Sequence, residues 1–416
     1  MKKYDNYKDS GIEWIGEIPE HWNVKKLKFI SKICNGQDQK AVLDDNGIYP
    51  IFGSGGIFGK ANSFLFDQPS VLLGRKGTID KPQYVEEPFW TVDTSYYTKI
   101  KDGFSTRLFY YLCTTINFEL YKYGSAIPSM TQGHLNEIKF SIPNTFHEQN
   151  QIANYLDRKT AQIDNLIAKK EQFITLLQEE RTAVIKQAVT KGLDLKVKMK
   201  NSCIEWLGEI PQHWEVKKLK YFADVVLGKM LTPEDKGNYH LKQYLRAKNI
   251  EWEKPNIDDV KEMWFSINEM KNFRIKKDDL LVSEGGEVGR TCIWNDEIEE
   301  CYIQNSVHKV TILNDGDPNY FLNQFILFGK MGHFDAIVNK ISIAHLTKEK
   351  LKDVSFFYPP IKEQKEISNH ILTRTQEIDT IISKAQQEIE LLKEYKTALI
   401  NEVVTGKVDV REEKNN

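Results

Sequence analysis

At 416 residues, with 40% apolar content, the chain is long enough for two or three hydrophobic cores and has the composition of a soluble globular protein. Its net charge of -2 lacks the basic balance usual in nucleic-acid-binding chains, so such a role would rest on local clusters. The polar start MKKYDNYKDS and the absence of any long apolar run exclude a membrane span and set a cytoplasmic address as the expectation; Cys34, Cys113, Cys203, Cys292 and Cys301, odd in number and far apart, read as reduced thiols and not as metal ligands.

In chain order, the first element is a head, SGIEWIGEIPEHWNVKKLKF (residues 10–29), with Trp14 and Trp22 around a Gly-Glu-Ile-Pro turn. It returns at residues 202–221 as SCIEWLGEIPQHWEVKKLKY, with Trp206 and Trp214 at the same spacing. Fifteen of twenty aligned positions are identical, so the chain is read as an internal duplication. Aromatic burial is the commoner use of such tryptophans. The repeated lysines of VKKLK offer a local basic cluster.

The first middle alternates short apolar runs with Gly, Pro and Asp, a strand-and-turn pattern. Gly74-Arg75-Lys76-Gly77 follows the apolar run Val71-Leu72-Leu73, which puts two cations on a turn at a strand end. A helix is expected from Ser105 to about Tyr121, then a polar loop (SAIPSMTQGHL) and a closing strand (EIKFSIP). The second middle repeats the plan with different letters: LLVSEGGEVGRTCIW as strand, Gly-rich turn with Arg290, and strand; YIQNSVHKVTIL as one strand; PNYFLNQFILFGKM as the helix; and ISIAHLTKEKLKDVSFFYPP as loop and closing strand. Its extended start, YLRAKNIEWEKPNIDDVKEMWF, has no evident counterpart in the first.

Each middle is followed by a long periodic segment. Residues 148–195 and 363–410 align without gaps with twenty identities in forty-eight. Ile163, Ile167, Ile174 and Leu177 in the first, and Ile378, Ile382, Ile389 and Leu392 in the second, fall on apolar stripes, which Leu166 and Ile381 widen. Thr145-x-x-Glu148 fits a capping box, and Gly192 and Gly406 stand where C-terminal caps belong. A helix from Phe146 to Thr190 would be about 67 Å long, more than one domain encloses, so its stripe needs the matching stripe of the other copy. With only a short linker before the second head, the second helix must run back along the first. The expected fold is α+β, with domains at residues 1–145 and 201–360, and two long helices (146–200 with a linker, 361–416 with a tail) forming an antiparallel coiled coil about a pseudo-two-fold axis.

No catalytic constellation is present. Phe52 to Gly56 (FGSGG) is followed by another aromatic-glycine run instead of the helix a cofactor-binding turn would need. SGGIFGKA misses the phosphate loop, because Ser54 replaces its first glycine and Ala61 its magnesium-binding hydroxyl. His134 and His147 lack partners at metal or nucleophile spacing, and no metal site is expected.

The whole-chain order of two conserved heads and helices around two divergent middles resembles the specificity subunit of type I restriction-modification enzymes. The resemblance rests on GEIPEHW and GEIPQHW, LLGRKGTIDKP, VEEPFWTVDTSYYT, LLVSEGGEVGRT, and the HEQNQI and KEQKEI helix openings. It implies two target-recognition domains, each reading one half of a bipartite, asymmetric double-stranded DNA site. It further implies helices that bind two DNA methyltransferase subunits, with two translocating restriction subunits added, and a chain that is not itself an enzyme. S-adenosylmethionine, ATP and magnesium would then belong to the partners.

Reading base edges takes Arg or Lys for guanine and Asn or Gln for adenine, on turns that enter a major groove. The first domain offers Arg75, Lys76, Thr78, Ser129 and Gln132. The second offers Arg246, Lys248, Asn249, Arg290, Gln304, Asn305 and His345. Phosphate contact explains the same residue types. Two other classes compete: a coiled-coil scaffold joining two protein-binding domains without DNA, and a self-contained enzyme of degenerate fold. The basic Gly-rich turns weigh against the first and the missing motifs against the second.

Overall fold

Two helices dominate a computed structural model of the chain, Phe146–Lys191 and Ile361–Val404. The structure describes residues 2–122, 128–204, 208–338 and 345–411; Trp206, the 125–127 part of the first polar loop, and 341–344 of the second lie outside these. The chain divides into two units, one of Met1–Glu171 with Gln386–Asn416, the other Gln172–Ala385.

In the first unit, head strand Asn23–Lys26 pairs antiparallel with closing strand Lys139–Ile142. Beside them an all-antiparallel sheet runs in the order Ser31–Asn35, Ser95–Ile100, Ser70–Gly74, Gln83–Val85. A second sheet has Tyr49–Gly53 at its centre, antiparallel to Gly56–Ala61 and parallel to Trp90–Thr91. FGSGG is the turn of that hairpin, and no helix follows it.

The second unit has the same strand orders. Glu215–Lys218 pairs with Ser355–Tyr358, and the four-stranded sheet runs Ala223–Leu227, Val307–Ile312, Leu280–Ser283, Thr291–Ile293. His240–Leu245 is antiparallel to Lys261–Phe265 and parallel to Tyr302–Ile303. The extended start of the second middle therefore does have a counterpart, the hairpin Tyr49–Ala61; the turns differ so much in length that the sequences do not align.

Each head buries its second tryptophan. Trp22 and Trp214 are fully buried, whereas Trp14 is 52% exposed. The helix expected to reach Tyr121 stops at Thr114, and Asn117 caps a single turn, Phe118–Leu120. Thr114 and Thr115 hydroxyls donate back to Tyr111 and Leu112 carbonyls (2.7 and 2.8 Å), competing with helix continuation. Likewise YIQNSVHKVTIL is not one strand: Val307 N–H closes on Gln304 O at 2.9 Å and puts Gln304 and Asn305 on a turn.

In the first unit the start of the first long helix (Ile152, Leu156, Ile163, with Ile167) shares a core with the end of the second (Leu392, Leu399, Val403, Val404). Lys396 bridges Asp164 at 2.7 Å, and Lys170 bridges Glu388. In the second unit Ile185, Ala188 and Val189 share a core with Ile367 and Ile371; Arg181 reaches Asp379 at 3.3 Å. Ile174, Leu177, Ile378, Ile382 and Ile389 are buried or half-buried. Leu166 and Ile381 are instead 44% and 42% exposed, because a seam between two helices covers a narrower stripe than a globular core does. No described helix is long and apolar enough to cross a membrane.

Candidate nucleic-acid interface

The first unit gathers its candidate residues where strands of the four-stranded sheet end. Arg75 and Lys76 leave the strand Ser70–Gly74, and their amides donate to Thr94 O at 2.9 and 3.2 Å. Met130 N–H donates to Arg75 O (2.9 Å), Gly77 N–H to Pro128 O (3.0 Å), and Lys76 bridges Ser129 through the backbone. Gln132 donates to Asn35 Oδ1 at 3.0 Å, while Gln83 ties the FGSGG turn through Gly53 O at 2.9 Å. Arg75, Lys76, Thr78, Ser129 and Gln132 thus come together. The Arg75 guanidinium donates to Asp93 O at 3.3 Å and lies 6.0 Å from the Tyr96 ring centre, which aims it without neutralising it. Lys76 is exposed, Thr78 half-buried, and Ser129 buried.

In the second unit the corresponding loops also converge, with different commitments. Arg246 donates to Asp259 O and Oδ2 at 2.7 and 3.0 Å. Lys261 and Arg246 together hold the Asp259 carboxyl well below its ordinary range, and exposed Lys248 reaches it at 3.5 Å. Asn249 is 2% exposed; its amide accepts from Arg246 N–H and donates to Asn256 O and Asp259 O. That side chain closes the turn and cannot reach a base edge, since local backbone partners satisfy an Asn amide as well as a ligand would. Arg290 donates to Ala247 O at 3.0 Å and Glu287 at 3.3 Å, so it too is drawn into holding the 246–249 turn. Gln304 and Asn305 form the adjacent turn, half-buried, with Asn305 N–H on Lys229 O at 2.9 Å. His345 is exposed beside Leu346, whose N–H donates to Glu284 O at 2.9 Å.

Two sets of residues carry these faces in roles that the sequence did not suggest. Glu148 accepts from Trp22 Nε1 (3.0 Å), Tyr4 hydroxyl (3.1 Å) and His21 Nε2 (3.0 Å); Glu363 accepts from Trp214 Nε1 (3.0 Å) and His213 Nε2 (2.8 Å). Thr145 does cap Glu148 N–H at 3.2 Å, but the Glu148 carboxylate turns to the head and does not complete the capping box. Next to each stands a buried glutamine. Gln149 accepts from Ser105 N–H at 2.8 Å and Gln364 from Asp317 N–H at 3.0 Å, fastening the middle helix to the long one. The repeated Glu-Gln pair was the sequence signal. The second missed feature is Gly36 and Gly228, where an added Cβ would overlap the carbonyls of Val92 and Gln304.

Among the described residues no group of His, Cys, Asp and Glu could hold a metal ion.

The family model for the type I restriction modification DNA specificity domain matches residues 19–176 and 211–391. The chain belongs to this family: it is a DNA-specificity subunit of a type I restriction-modification system and not a catalytic one. Similar proteins include the type I restriction enzyme MjaVIII specificity subunit of Methanocaldococcus jannaschii, 24% identical with 98% of this chain and 97% of that one covered. The EcoDI specificity subunit of Escherichia coli is 27% identical over 54% of this chain and 53% of its own. Among solved structures, a chain from a study of type I R-M assembly and conformational transition has TM-score 0.71 at 11% identity, covering 94% of this chain and 99% of that one. The HsdS subunit of Thermoanaerobacter tengcongensis has TM-score 0.54 at 11% identity, covering 94% and 98%.

Proposed function

We propose that each middle is a target-recognition domain reading one half of a bipartite, asymmetric site in double-stranded DNA, within working boundaries of 1–145 and 201–360. The single observation that carries this is the convergence, at the same strand ends in both units, of backbone-tethered turns bearing Arg75, Lys76 and Gln132 in one and Lys248, Gln304 and His345 in the other. Arg246 and Arg290 position the second face, and Lys248 and Lys76 serve phosphates, which fix register without reading sequence.

The long helices pair as an antiparallel coiled coil about a pseudo-two-fold axis and dock two methyltransferase subunits, to which two restriction subunits are added. The heptad-spaced burial of Ile163, Ile167, Ile389 and Leu392, and of Ile174, Leu177, Ile378 and Ile382, supports this reading. S-adenosylmethionine, ATP and magnesium act on those partners, in the cytoplasm. Family membership disfavours a scaffold that does not bind DNA.

The test is to co-express the chain with its system's methyltransferase subunits and map methylated bases across a genome. Two fixed half-sequences separated by a spacer of constant length are expected. Replacing residues 222–353 by the middle of another family member should change one half-sequence and leave the other; a change in both, or scattered methylation, sinks the reading.

A further inference from the structure

Arg75 has a structural counterpart in the second unit, and it is an acid. Glu284 follows strand Leu280–Ser283 as Arg75 follows Ser70–Gly74. Its N–H donates to Ser306 O at 3.0 Å, as that of Arg75 donates to Thr94 O at 2.9 Å. Its carbonyl accepts from Leu346 N–H at 2.9 Å, as that of Arg75 accepts from Met130 N–H at 2.9 Å. Beneath, His308 Nε2–H donates to Leu346 O at 2.7 Å where the Tyr96 hydroxyl donates to Met130 O at 3.2 Å. These matched contacts make the equivalence one of position in the fold, and Arg290, seven residues from the strand end, does not share it.

Among the described residues the Glu284 carboxylate has no hydrogen-bond or ion-pair partner, although the side chain is half-buried. Burial pushes its pKa up, and the nearby His345 pulls it back. A carboxylate that has lost part of its hydration without gaining a donor is stabilised by whatever brings one. In a major groove, guanine presents two acceptors, thymine an acceptor and a methyl group, and adenine a donor beside an acceptor; cytosine presents the N4 amino donor alone.

We propose that Glu284 is a base-reading residue of the second domain and selects cytosine at the place where Arg75 of the first domain selects guanine. The proposal rests on the DNA-reading function above and adds a residue and a base to it.

The test uses the complex with its methyltransferase subunits. If the wild-type complex yields no bipartite methylated site, the DNA-reading function itself fails. With that site in hand, one position of the second half-site should accept only cytosine. Replacing that cytosine by a pyrimidinone lacking the 4-amino group should weaken binding of the wild-type complex by about tenfold or more, a measurement that needs no variant to fold. Glu284→Gln, nearly isosteric, should shift the same position toward adenine and leave the first half-site as it was. An unchanged second half-site in Glu284→Gln, a uniform loss on all sequences, or indifference to the missing amino group would overturn the assignment.

Discussion

Trp214 donates its indole N–H to the Glu363 carboxylate at 3.0 Å, and the bond joins the second head to the first turn of the second long helix. Trp22 and Glu148 make the same bond in the first unit. Each indole is fully buried, so its one donor needs an acceptor. A carboxylate in the first turn of a helix also meets the positive end of the helix dipole. The same residue therefore satisfies the head and favours the helix start, which gives a physical reason why both partners recur in both copies.

Glu148→Leu should destabilise the first unit by about 1–3 kcal/mol, because it strands the Trp22 N–H and removes the acceptor of the Tyr4 hydroxyl. Glu148→Gln keeps one acceptor oxygen and should cost less. Urea unfolding followed by tryptophan fluorescence compares them; equal stability of wild type and Glu148→Leu would remove the latch from the account.

Gly228→Ala places a methyl group against the carbonyls of Gln304 and Ile303, and Gly36→Ala does so against Val92 and Thr91. These contacts are to strand and turn backbone, which cannot rotate away. A loss of about 1–3 kcal/mol is expected, confined to the unit that carries the change, with protection of Val307–Ile312 amides in hydrogen exchange falling in Gly228→Ala. Wild-type protection there would contradict the close approach.

Arg75→Ala should relax one position of the first half-site at a cost of roughly 1–3 kcal/mol, as for a guanidinium bidentate to guanine. Methylome sequencing reads the position and competition binding the cost. Equal weakening on specific and random DNA, with a shallower salt dependence, would reassign Arg75 to a phosphate.

Acid should weaken the second unit from pH 6.5 downward. Burial holds His308 below the ordinary imidazole value of 6.5 and takes His333 to about 4. A histidine with a depressed folded pKa binds fewer protons folded than unfolded, so its contribution is intact above 6.5 and is lost as pH falls toward the folded value. Asp279 and Glu284, whose carboxyls burial raises, act in the opposite sense at lower pH. Between pH 7 and 5.5 the histidines should dominate. His333→Phe keeps an aromatic ring beside Phe328 and Phe334 and should flatten the decline in the urea midpoint; an unchanged slope would place His333 outside the linkage.

The repeat, the two long helices and the absence of catalytic motifs were legible in the chain itself. Duplicated heads, heptad-spaced apolar residues and terminal glycines are local patterns, and a helix or turn answers to residues three or four apart. The convergence of Arg75, Lys76, Ser129 and Gln132 was legible only as residue type. Tertiary structure alone decided which candidates face outward. Asn249 looked like an adenine reader and is consumed by its own turn, and Arg290 looked like the partner of Arg75 and is held by Ala247 O and Glu287. Glu284, which no basic-residue search could select, takes the place of Arg75 through hydrogen bonds to Ser306 and Leu346. Those contacts join segments 22 and 62 residues apart (306 − 284 and 346 − 284), and the side chain a strand end presents is set by pairing register and loop closure across such separations, to which no short-range periodicity in the sequence responds.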